Sequence, residues 1–97
     1  MTNRQLLELA AKANGNAASF DWDDWSPLTD DGDALRLAVK LGCTPDIDYE
    51  MGFVTVLISM THGIQEELGS DPYAATRRAI VRAAAEIGKG TTFRKEC

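Results

Sequence analysis

An α+β fold, a small antiparallel sheet of two or three strands sandwiched by three helices, is what this chain of 97 residues predicts. Three observations carry the expectation. Apolar residues recur at helical spacing near both ends and again across residues 28–41. Between residues 47 and 60 the period drops to two. The connections between the short strands are too brief for parallel neighbours, which need a crossover of about a dozen residues. The expected order is helix, helix, two or three strands, helix.

The first helix is expected from Arg4 to Ala13, with Thr2 or Asn3 as N-cap, apolar residues Leu6, Leu7, Leu9, Ala10 and Ala13, and Asn14-Gly15 as its stop. The second ends at Leu41-Gly42. It starts either at Pro27 with Ser26 as cap or at Asp31 with Asp30 as cap and Asp33 three residues on. Aspartates in a first turn complement the helix dipole, a structural role for Asp30, Asp31 and Asp33 of about 0.3–1 kcal/mol each. Leu28, Leu35 and Ala38 form one stripe and Ala34, Leu37 and Leu41 its neighbour, so a wide apolar face is expected to be buried.

Next, Ile47, Tyr49 and Met51 alternate with Asp48 and Glu50, Gly52 interrupts, and Phe53–Met60 is rich in β-branched residues. Both faces of that second run are apolar, which predicts cover on both sides. A third strand over residues 63–68 is open: Ile64, Glu66 and Leu68 alternate with Gln65 and Glu67, but a helical turn fits the same residues. The last helix has Asp71 as cap, Pro72 at its first position and Gly88 as stop. Its expected core stripe is Tyr73, Thr76, Ile80, Ala83, Ala84 and Ile87, with Arg77, Arg78 and Arg82 on the opposite side.

Length bounds this to a single domain, residues 1–97, long enough to build a core without a disulfide or structural metal. Within it, residues 1–20 hold the first helix and a linker, 21–33 an acidic segment, and 89–97 a tail expected to fray. An apolar share of 44% and a charged share of 26% are ordinary globular values. Cys43 and Cys97 are too few for a disulfide framework and are expected as reduced thiols. No apolar run approaches a bilayer span and the N-terminus lacks a signal-peptide core, so a cytoplasmic location without membrane contact is expected.

Charge is unevenly placed. Residues 21–71 hold twelve acids against two bases, whereas residues 72–97 hold six bases against two acids. Residues 21–33 concentrate six aspartates and both tryptophans. An acidic domain repels phosphate backbones, which disfavours nucleic-acid binding by the whole surface. Trp25, before Ser26-Pro27, is expected to cover the start of the second helix; Trp22, between Asp21 and Asp23, is the better candidate for an exposed contact.

The stretch Trp25-Ser-Pro-Leu-Thr-Asp-Asp-Gly-Asp-Ala-Leu-Arg-Leu-Ala-Val-Lys-Leu-Gly42, with Asp71-Pro-Tyr-Ala-Ala-Thr-Arg-Arg-Ala-Ile-Val-Arg-Ala-Ala-Ala-Glu-Ile-Gly88, resembles small accessory proteins of bacteriophages and prophages. These are the phage alpha-beta-alpha sandwich proteins, with the Nin-region X proteins as a looser relative. The two blocks cover about a third of the chain. The resemblance implies a phage origin, hence a host bacterial cytoplasm, and a sheet sandwiched by helices. It carries over no catalytic or binding residue.

Candidate chemistry is sparse. A calcium loop starting at Asp21 would need glycine at its sixth position and glutamate at its twelfth, where Ser26 and Gly32 stand. Asp21, Asp23 and Asp24 with His62 could serve a metal-dependent or small-ligand enzyme, but no spacing fixes their geometry. Cys43 with His62 lacks a nucleophile motif, and no glycine precedes a Lys-Ser or Lys-Thr pair that would cradle phosphate. The expectation is therefore a non-enzyme without cofactor or metal. It acts by protein–protein interaction, with Asp21, Trp22, Asp23, Asp24, Asp46, Asp48 and Glu50 docking on a basic surface of a host protein. A nucleic-acid-handling or defence complex fits, because carboxylates can imitate the phosphates its Lys and Arg bind. The alternatives are the Asp-cluster enzyme and a nucleic-acid binder using Arg77, Arg78, Arg82, Lys89, Arg94 and Lys95.

Overall fold

The computed structural model describes residues 2–13, 25–59 and 62–89, the side chains of Ser59 and His62 excepted. Its elements are α1 (Asn3–Ala13), α2 (Asp31–Leu41), β1 (Thr44–Asp48), β2 (Phe53–Ser59), β3 (His62–Glu67) and α3 (Pro72–Gly88). The α+β class and the order α-α-β-β-β-α follow the sequence expectation, and the open question of a third strand is answered in favour of one. The sheet is antiparallel in the order β1-β2-β3.

Local chemistry sets each boundary. At the start of α1, the Gln5 amide donates to Thr2 Oγ1 at 3.1 Å while the Thr2 amide donates to Gln5 Oε1 at 2.8 Å, a reciprocal capping box that makes Thr2 the cap. Of the two possible starts for α2, Asp30 prevails: its carboxylate accepts from the Asp33 amide at 2.8 Å. The helix ends in a Schellman turn, with Gly42 at φ 71°, its amide bonded to the Val39 carbonyl and the Cys43 amide to the Ala38 carbonyl. Asp71 caps α3 by accepting from the Ala74 amide at 3.1 Å, and Pro72 opens the helix where no amide donor is needed.

β1 lies earlier than the alternation of residues 47–51 predicts. Asp48 Oδ1 accepts from the Glu50 and Met51 amides, and the Gly52 amide donates to the Asp48 carbonyl. These bonds fold Tyr49–Gly52 into a turn, because a short carboxylate offers the backbone a local alternative to the ladder. Gly52, at φ 81°, supplies the left-handed residue that returns the chain.

The core is centred on α3. One side of this helix rests on the sheet and the other takes α1 and α2, so Ala75, Ala79, Ile80, Val81, Ala83, Ala84 and Ala85 are all buried. The single stripe expected for α3 is thus too narrow, and Tyr73, assigned to it, is exposed. Gly88 differs from its expected role as a stop signal: it is the last helical residue, and a methyl group there would run into the Leu9 carbonyl. Its missing side chain permits close α1–α3 contact.

Register divides the sheet into two faces. Pro45, Ile47, Val54, Val56, Ile64 and Glu66 point toward α3, with Val54 and Val56 fully buried. Asp46, Asp48, Phe53, Thr55, Leu57, Gln65 and Glu67 point away. The expected cover over both faces of β2 is present, among the described residues, on the α3 side alone; Leu57 on the other face is exposed.

Candidate interaction surfaces

Of the residues expected to contact a partner, Asp21, Trp22, Asp23 and Asp24 lie outside the described residues, as do Arg94, Lys95 and Cys97. Asp46, Asp48 and Glu50 are described, and all three are exposed. Asp46 and Asp48 occupy the outer sheet face on the edge strand β1, and Glu50 stands in the turn that follows. Register adds Glu67, which sequence reasoning did not single out: Phe53 pairs with Asp48 on one side and Glu67 on the other. Its signal was the period-two pattern of β3, which needed the strand assignment before it could be read. Among the described residues, none of these four carboxylates makes an ion pair.

The basic residues contrast with them. Arg77 is largely buried, donating from Nε to the Leu28 carbonyl at 2.9 Å and from Nη1 to Asp31 Oδ1 at 2.5 Å. Arg82 pairs with Glu66 and also donates to the Gln65 carbonyl at 3.3 Å. Arg78 donates to Asn3 Oδ1 at 3.1 Å and lies 3.9 Å from Glu66. Lys89 reaches Glu86 at 3.1 Å. The four described members of the nucleic-acid alternative are therefore tied to acceptors within the chain. Helical periodicity put the arginines opposite the core stripe; it could not show that α2, α1 and β3 bring acceptors to meet them.

Asp33 is the most constrained acid. Its carboxylate accepts from the Ser26 amide at 2.8 Å and binds Arg36 at 2.6 Å. The backbone hydrogen bond first, and Arg36 second, hold its pKa below the ordinary 3.8. The aspartates of residues 30–33 thus cap and brace: Asp30 caps, Asp31 holds Arg77, and Asp33 ties the preceding turn to α2. Trp25 is half-buried against the core, as its place before Ser26-Pro27 predicts. Cys43 is buried, and burial pushes its thiol pKa up, the opposite of what an activated nucleophile requires. Among the described residues, no three His, Cys, Asp or Glu side chains converge on a common point. No described helix is long and apolar enough to cross a membrane.

A second surface was not expected from sequence. Between α2 and β1, above the first half of α3, runs an apolar groove of about 280 Å³. Ala34 and Ile80 form its floor, Leu35, Ile47, Tyr49 and Tyr73 its walls, and the Asp31–Arg77 pair closes one side. Leu35, assigned by periodicity to a buried stripe, is 61% exposed, and Tyr73 is 71% exposed. α2 packs on α3 through Ala34, Leu37 and Ala38 and stands away from β1, which leaves Leu35 without cover.

Comparison with protein-family models, with curated proteins and with solved structures found no match to this chain.

Proposed function

We propose that this protein is a non-enzymatic accessory protein that works by docking an acidic surface on a basic surface of another protein. One observation carries the reading. Every described arginine is held by a carboxylate of the chain, whereas Asp46, Asp48, Glu50 and Glu67 gather around β1 and the outer sheet face with no ion pair among the described residues. Unpaired charge of one sign steers encounters with the opposite sign and penalises like-charged partners. The partner class that fits is a nucleic-acid-handling or defence complex of a bacterial host, whose Lys and Arg ordinarily face phosphates. The phage origin implied by the Trp25–Gly42 and Asp71–Gly88 blocks agrees with that choice.

Affinity capture from a nuclease-treated bacterial lysate tests the proposal, using the wild-type chain beside an Asp46→Lys/Glu50→Lys/Glu67→Lys variant. Asp48 is left intact because it builds the turn. The expected result is a protein partner retained at low salt, weakened at high salt and lost with the variant. Retention by the variant, or capture that disappears with nuclease alone, overturns it.

A further inference from the structure

Register gives the outer face of the sheet a row in which Phe53 stands between Asp48 on β1 and Glu67 on β3. Directly opposed residues of neighbouring strands carry their Cβ atoms about 4.5–5.5 Å apart, so a carboxylate-bearing residue flanks the half-buried Phe53 on each side. Asp46 joins them on β1, and Leu57, 42% exposed, lies on the same face further along β2. No Lys or Arg occurs between Lys40 and Arg77, so the sheet has neither cation of its own, and Asp46, Asp48 and Glu67 make no ion pair among the described residues. Acids and apolar side chains therefore share one open face.

That mixture selects the occupant. A second copy laid face to face would set carboxylates against carboxylates, and a phosphate backbone would meet the same repulsion. An uncharged apolar surface would strip water from the carboxylates and give them nothing in return. A cation is required. Lysine is a compact, strongly hydrated charge, whereas the arginine guanidinium is planar, weakly hydrated and able to stack on a ring while its N–H groups reach carboxylates at the edge. An aromatic residue with a carboxylate on either side matches the second of these. Asp48 is also held in place: its Oδ1 accepts from the Glu50 and Met51 amides, and a carboxylate keeps acceptor sites beyond those two.

We infer that the outer sheet face receives an arginine of the partner protein, its guanidinium stacked on Phe53 and hydrogen-bonded to Asp48 and Glu67. The inference rests on the acidic-surface reading above and adds the residue type recognised and its aromatic anchor.

The full chain is titrated at low salt against two labelled model peptides of equal length, a Gly/Ser-spaced oligo-arginine and the same peptide with lysine, and anisotropy is followed. The wild type should bind the arginine peptide at least roughly threefold more tightly, the scale of a cation–ring contact. Phe53→Leu, which leaves charge unchanged, should remove that preference, and Phe53→Trp should increase it, since indole is the best ring for a cation. Thermal melting checks that both variants fold. Equal affinity of the wild type for the two peptides overturns the inference without any variant, and so does a preference that folded Phe53→Leu leaves intact. Host-partner capture separates the two proposals. If charge reversal at Asp46, Glu50 and Glu67 abolishes it and Phe53→Leu does not weaken it, the acidic-surface reading stands and the arginine inference falls; capture that survives charge reversal removes both.

Discussion

The two flanks of α3 are built in opposite ways. Toward α1, small residues and a glycine bring backbones together: Ala10 and Ala11 are buried, Gly88 lies against the Leu9 carbonyl, and Arg78 and Arg82 are fastened to Asn3 and Glu66. Toward β1, large side chains stay in solvent: Leu35, Ile47, Tyr49 and Tyr73 line an open groove that the Asp31–Arg77 pair closes on one side. One flank uses its side chains to hold the fold; the other leaves comparable chemistry available for contact. Apolar content alone does not separate them. What does is whether a second element comes close enough to cover the first.

Gly88 gives the sharpest test of that contrast. Gly88→Ala should destabilise the protein by about 1–3 kcal/mol in urea unfolding, because the added methyl meets backbone that cannot rotate away. Alanine's better helix propensity, worth roughly 1 kcal/mol, works against the loss, so near-neutrality would mean α1 is not tightly docked. Next comes Glu66→Ala, which leaves Arg82 without its carboxylate. About 1 kcal/mol is expected, since the pair is only partly buried, and a guanidinium-sensitive rise in proteolysis between β3 and α3 should accompany it.

A smaller, pH-dependent effect belongs to Asp33. Its folded pKa lies below the unfolded value, so its stabilising contribution is complete above about 3.8 and disappears as pH falls through the lowered folded value. The stability difference between wild type and Asp33→Asn should therefore be present at neutral pH and vanish in strong acid. A difference that persists at low pH would show that the Ser26 and Arg36 contacts do not favour the charged form. The smallest change is expected on the open flank: Leu35→Ser and Tyr73→Ala should alter stability by no more than about 0.5 kcal/mol, as exposed positions do. A large loss there would mean the groove is closed in solution and would erase the distinction between the flanks.

Helix termini were the most legible part of the chain. Gly42, Asp71 and Pro72 act within a few residues of themselves, so their roles can be read from adjacent sequence, and the structure agrees at each. Thr2 and Asp30 are the ones it selects from the two caps that the sequence left open for α1 and for α2. The limits of local reading show at Asp48, where a side-chain bond to two amides converts an apparent strand into a turn, and at Gly88, where a glycine at a helix end serves packing instead of termination. The candidate surfaces were legible only in part. Asp46, Asp48 and Glu50 could be picked by charge, but Glu67 joins them only through register, and the groove exists because α2 and β1 are held apart.

By itself, then, the sequence determined the class of fold and the order of its elements up to the third strand, and narrowed the N-caps to one or two candidates per helix, since hydrophobic period and terminal hydrogen bonds are properties of neighbours along the chain. Tertiary structure alone decided which charges are spent and which are left. Arg77 and Asp31, or Arg82 and Glu66, meet across distances in sequence that no local pattern encodes. The same holds for Leu35 and Tyr73: their apolar character is written in the chain, but exposure depends on whether another element arrives to cover them.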